Sequence, residues 1–247
     1  MAGLGQIPHW PPPSKAGNCW QRQLKAAAKT LPRSSHKPEN PHCMTQTSNH
    51  TPLLQPEWQT IEKISLEDFS SADWTTLNTQ RAVYYQQEQS RQVLRMLAVS
   101  EHDTSFGYMV NNYRHSLQSA TMALRDGLGE EDVVVCLLHD IGFIACPSTH
   151  GEFAAELLGS YVSDRNYWML QRHGTFQNIH SPHLPGVDVN ERERWRGHPH
   201  FDWAATFVDK YDQAACDPHY DCAPLAFFEP MVQRLFARKP VKRPHKD

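Results

Sequence analysis

Three things are missing from this sequence, and each absence removes a class of function. No apolar run approaches the roughly 20 residues needed to cross a bilayer, and no apolar h-region follows Met1 as in a secretory signal. The six cysteines are irregularly spaced and include no C-x-x-C pair. That leaves out a disulfide scaffold, a cysteine-based structural zinc site and a thioredoxin-like redox pair. Charge of one sign is also lacking: 24 Lys and Arg stand against 27 Asp and Glu, a formal net charge of −3. A broad basic face for nucleic acid is thereby excluded. The expectation is a cytoplasmic protein with neither a membrane nor a nucleic acid as partner.

Apolar residues make up 39% of the 247, enough for one core of ordinary size. Residues 1–56 show no sustained apolar period and carry WPPPSK, LPRSSHKPENPH and TQTSNHTP. Such composition cannot bury enough surface to offset chain ordering, so this extension is expected to be disordered. Up to Pro41 its one acidic residue is Glu39. A targeting peptide would have that bias, but the favoured reading is translation from Met44. One helical domain is expected over 57–239, followed by a basic tail over 240–247.

Helix starts are read at Ser65 and Ser71, the second opening a long segment through Met96. A helix over about Asn111 to Arg125 stops at Asp126-Gly127, where glycine can take a left-handed cap. The next opens with Glu130, Glu131 and Asp132, which suit a helix N-terminus, and turns apolar all round from Val133 to Leu138. A further helix follows His150 through GEFAAELLGSYV. Another runs from Ser163 to about Phe176. After a Pro- and Gly-punctuated loop come HFDWAATFVDKYDQAA and a short segment around LAFFEPMVQRLFA. No strand pair emerges, and the fold class is all-α.

Histidine is plentiful, with 15 in the chain, and the placement of a few is informative. His139-Asp140 ends the buried apolar helix, where a charged Asp is unfavourable unless a metal or partner compensates it. His115 lies on the helix before, His150 opens the helix after, His173 lies near the end of the next and Asp212 follows on a later one. One ligand from each of several successive helices is how bundles build interior metal sites. Mixed imidazole and carboxylate donors suit iron, manganese or zinc. Four His and two Asp exceed the needs of one tetrahedral zinc, which argues for two ions with Asp140 able to bridge them.

The stretch HSLQSATMALRDGLGEEDVVVCLLHDIG resembles the opening of HD-domain proteins. THGEFAAELL and WMLQRHGTFQ resemble the subgroup of mixed-valent diiron oxygenases, myo-inositol oxygenase and the hydroxyphosphonate-cleaving oxygenases among them. The likeness covers about Ser105 to Lys239. It implies an HD-type helical bundle in which His115, His139, Asp140 and Asp212 are the core ligands. His150 and His173 would complete a second iron site, with Asp140 as the bridge and His139 and Asp140 central to catalysis. It implies as cofactor a mixed Fe(II)/Fe(III) pair that chelates a small hydroxylated substrate at one iron and binds dioxygen at the other. Hydrogen abstraction from the carbinol carbon would then lead to cleavage of a C–C or C–P bond.

Two departures from that pattern bear on the substrate. Phe143 stands where hydroxyphosphonate-cleaving relatives carry a second histidine, and Gln177 where they place a substrate-binding lysine. Both losses disfavour a doubly charged phosphonate, and Phe143 makes one side of the pocket apolar. Candidate substrate contacts are Gln118 and Gln177, each about one turn past a ligand, with Arg172 and Lys210 near ligands in sequence. A metal-dependent phosphohydrolase using manganese or zinc is the principal alternative, though few cations flank the ligands to receive a phosphate. A non-catalytic binding module is the second.

Overall fold

In the computed structural model, which describes Leu53 and residues 55–243, the first long helix, α1, spans Ser71–Val99. Its cap is Ser70, one residue before the expected start. The Ser70 hydroxyl accepts from the Asp73 N–H, and the Asp73 carboxylate accepts from the Ser70 N–H, closing a capping box. The start read at Ser65 caps only one 3-10 turn, Leu66–Asp68. Helix α2, Asn112–Arg125, is capped by Asn111, whose side-chain Oδ1 accepts from the Arg114 N–H. It ends as expected, at Asp126 followed by Gly127 with φ +76.

Helix α3, Glu130–Leu138, is the centre of the fold. Val133 to Leu138 are all buried, between α2 on one side and the C-terminal helix α8, Leu225–Phe236, on another. Nine residues make a marginal helix alone. Burial of each Val or Leu contributes roughly 1.5–3 kcal/mol, which settles the matter in favour of the packed helix. Its N-terminal acids also act as anchors. Arg234 pairs with Glu130, Arg238 with Glu131 and Arg165 with Asp132. The buried Asn166 side chain donates to both Glu131 and Asp132.

Four short helices complete the bundle: α4 His150–Leu158, α5 Asp164–Leu170, α6 His173–Gln177 and α7 Phe201–Phe207. The single helix expected over Ser163 to Phe176 is therefore two, broken at Arg172 with φ −130. Helix α4 also stops earlier than expected, at Leu158 rather than Val162. Helix α7 runs into a π turn, Val208–Asp212, closed by the Gln213 N–H donating to the Val208 carbonyl. The chain past Lys239 is tied down as far as Arg243. The Val241 N–H donates to the Ser160 carbonyl, and the Arg243 guanidinium donates to the carbonyls of Gly159 and Val162.

No strand occurs among the described residues, and the molecule is all-helical with a His/Asp cluster in its interior. Among the described residues, no helix is long and apolar enough to cross a membrane. The expectation for residues 1–56 falls, except for Leu53 and residues 55–56, outside the described residues, as do positions 244–247 of the tail.

Candidate metal centre

The four histidines picked out in the sequence are oriented by one device. His139 Nδ1 meets the Cys136 carbonyl at 2.8 Å, His150 Nδ1 the Pro147 carbonyl at 3.0 Å and His173 Nδ1 the Leu170 carbonyl at 2.8 Å. Each acceptor lies three residues earlier, Cys136 in the last turn of α3, Leu170 at the end of α5 and Pro147 in the turn before α4. His115, inside α2, reaches across to the Ala215 carbonyl at 3.1 Å, just beyond the π turn. A carbonyl only accepts, so every Nδ1 carries a proton, and each ring in its neutral form presents its lone pair at Nε2.

Those lone pairs converge. His115 Nε2 and His139 Nε2 are 3.1 Å apart, and His150 Nε2 and His173 Nε2 are 3.2 Å apart. With both protons on Nδ1, neither pair can share a hydrogen bond. Two nitrogens bound about 2.1 Å from one ion at a near-right angle would stand at such a separation. Asp140 lies between the pairs. Its Oδ1 is 3.2 Å from His173 Nε2 and 3.3 Å from His150 Nε2, while its Oδ2 is 3.7 Å from both His115 Nε2 and His139 Nε2.

Asp212 Oδ1 closes the inner pair from the other side, at 3.6 Å from His115 Nε2 and 3.7 Å from His139 Nε2. Its Oδ2 is buried without any hydrogen-bond partner. A buried, unsatisfied carboxylate oxygen beside converging imidazole nitrogens suits a cation. Two overlapping groups meet the spacing for a shared ion: His115, His139 and Asp212, and His139, Asp140 and His173. Both groups contain His139 and neither contains His150, so the cluster offers candidate metal-binding sets centred on His139.

Electrostatics point the same way. Burial opposes charge on His139, but Asp140 and Asp212 outweigh it and raise its pKa to about 9, and a bound metal ion would take the place of that second proton at Nε2. Burial, then the neighbouring His139, holds His115 below its ordinary value. Burial also opposes ionisation of Asp140 and Asp212. The histidines around them, His139 foremost, nevertheless keep both below the usual carboxylate range. Two buried carboxylates stay ionised and call for positive charge between them.

Gly151 and Asn112 support this geometry, and the sequence reading passed over both. A Cβ on Gly151 would lie 2.6 Å from the Leu170 carbonyl oxygen and 3.0 Å from His173 Cε1, so only glycine lets α4 approach the α5–α6 break. Asn112 Nδ2 donates to the Asp140 carbonyl at 2.9 Å. The Phe207 ring packs edge-on against His139 at 5.1 Å between centroids. Nothing in the local sequence marks Asn112 or Phe207. Gly151, directly after the candidate ligand His150, is the one detectable signal.

The four candidate substrate contacts separate. Gln177 is at the site, its Nε2 donating to Asp212 Oδ1 at 3.0 Å. Gln118 is not open to a substrate: fully buried, it donates to the Asp217 carbonyl and accepts from the Asp217 N–H. Arg172 lies over Trp168 and Trp195, and its guanidinium donates to the Trp168 carbonyl and Gln171. Lys210 is exposed on the π turn while Asp212, two residues on, is buried. Of the loop histidines, His198 stacks on Trp168 at 4.2 Å with His200 beside it, and His180 and His183 are exposed.

Beside His150 opens a polar cavity of about 220 Å³ lined by Ser148, Glu152, Gln171, Thr175 and Asn178. Phe143, which does not line this cavity, packs edge-on against His150 with ring centroids 5.7 Å apart. No protein-family model matches this chain, and no curated protein matches it.

Proposed function

We propose that the chain is a non-haem diiron oxygenase acting on a small hydroxylated substrate. The observation that carries this is the pair of facing imidazole couples, His115–His139 and His150–His173, each offered one oxygen of Asp140. His115, His139 and Asp212 would hold one iron, His150 and His173 the other, with Asp140 shared. A bound mixed-valent pair would supply dioxygen activation and abstraction of hydrogen from a hydroxyl-bearing carbon.

The protein's own contribution is positional. Backbone carbonyls fix each imidazole tautomer, and Gln177 holds Asp212. Phe207 and Phe143 pack edge-on against the rings of His139 and His150. Among the described residues, Asp140 and Asp212 face only histidines as cationic partners. Arg114, the cation next to His115, donates instead to the Tyr220 carbonyl. A phosphohydrolase would need a Lys or Arg here to receive a phosphoryl group, and that shortage favours oxygen chemistry.

The test is anaerobic purification, metal analysis and electron paramagnetic resonance after partial oxidation. About two irons per chain with a coupled mixed-valent signal is the expected result. Bound manganese or zinc without that signal would transfer the site to phosphohydrolase chemistry. No bound metal after reconstitution would leave a binding module.

A further inference from the structure

A line of aromatic rings leads from the candidate metal centre to the surface. Phe143 packs edge-on against His150 at 5.7 Å, and Phe106 packs edge-on against Phe143 at 6.4 Å. Phe106 is 64% exposed, and its chain neighbours Tyr108 and Met109 are more so. Ile144, next to Phe143, is half exposed. Apolar side chains scattered singly on a surface need no explanation, but these fall in two short segments joined by the Phe106–Phe143 contact. The Phe106 backbone has φ +55, a left-handed conformation that a bulky residue rarely adopts. That turn is held by the Phe106 N–H donating to Thr104 Oγ1 and the Tyr108 N–H donating to the Ser105 carbonyl.

His150 thus borders two unlike surroundings, the polar cavity lined by Glu152, Gln171 and Asn178 and the rings of Phe143 and Phe106. We infer that the substrate is a neutral amphiphile, its hydroxylated end at the metal centre and its apolar chain lying along Phe143 and Phe106. This rests on the proposed oxygenase reading for the chemistry at the polar end. The apolar subsite itself depends on the rings alone. The polar cavity is lined by Glu152 and by no Lys or Arg, which disfavours an anionic head, and a wholly polar substrate would leave this ring path without a use.

The probe is a series of straight-chain vicinal diols from propanediol to decanediol, titrated anaerobically by calorimetry into the metal-loaded protein. Affinity is expected to rise about three- to fourfold per added methylene until the rings are covered. Phe106→Ala and Phe143→Ala should flatten that rise. A flat series, or no binding by any member, overturns the inference. So does binding to neutral phosphatidylcholine vesicles that Phe106→Ala abolishes while diol affinity stays independent of length, since the rings would then serve a lipid surface. Metal analysis of the same sample separates the two readings. A length-dependent series on a manganese or zinc protein keeps the subsite and removes the oxygenase. A flat series on a two-iron protein does the reverse.

Discussion

The two halves of the candidate centre are built differently. The inner half takes His115 from α2, His139 from the end of α3 and Asp212 from the π turn, all buried and enclosed by core residues such as Phe207. The outer half takes His150 and His173, the first residues of two short helices, α4 and α6. Its His150 side chain is 20% exposed, whereas that of His139 is fully buried. An ion held by the inner set would be part of the core. One held by the outer set would face solvent, the polar cavity and the Phe143 path, where a substrate can reach it. The inner half is thus suited to holding and the outer half to exchange.

The largest effect should come from the inner half. His139→Ala removes a fully buried ring that touches His115, His173 and Phe207. It should abolish binding of both ions and cost about 3 kcal/mol of stability, read by metal analysis and denaturant unfolding. His150→Ala should be milder, leaving about one ion per chain and changing stability by less than about 1 kcal/mol. Equal losses of metal and stability in the two variants would break the distinction between the halves.

Gly151→Ala sharpens the comparison from the backbone side. Its Cβ meets the Leu170 carbonyl, the acceptor that orients His173, so the outer half should be displaced while the inner half stays in place. The expected cost is about 1–3 kcal/mol of stability and roughly a hundredfold in activity. The inner ion should remain bound, as metal analysis at low free metal would show. A variant that kept full activity would mean that His173 tolerates the shift.

The sequence foretold the parts governed by local chemistry. His139-Asp140 at the end of an all-apolar helix, acids at the start of α3 and Gly127 past α2 each carry a local cause, and each lies where expected. The break at Arg172 did not show, because neither proline nor glycine precedes it in YWMLQR. The Leu170 carbonyl there, freed from the helix, is taken by the His173 ring while α4 closes over it at Gly151. The π turn was equally silent, yet it brings Asp212 to the cluster and leaves Lys210 outside. Gln118 shares a helix face with His115, as its spacing implied. Its amide is nevertheless committed to Asp217, a residue 99 positions away, which no local pattern could show.

The smallest expected effect tests whether the two halves are separable at all. Gln177 sits one turn past His173 on α6, an outer-half helix, but its amide donates to Asp212 Oδ1 in the inner half. A partner behind a ligating carboxylate fixes its orientation, and losing one typically costs at least about tenfold in metal affinity. Gln177→Ala should therefore lower inner-ion affinity about tenfold, measured by competition with a chelator, and leave the outer ion unchanged. Gln177→Glu should be worse, since its carboxylate would face Asp212 with no proton to donate. If the outer ion weakens instead, Gln177 acts through the position of His173 and α6 couples the halves. In that case holding and exchange would be properties of one rigid unit, and the difference in burial between His139 and His150 would carry no functional consequence.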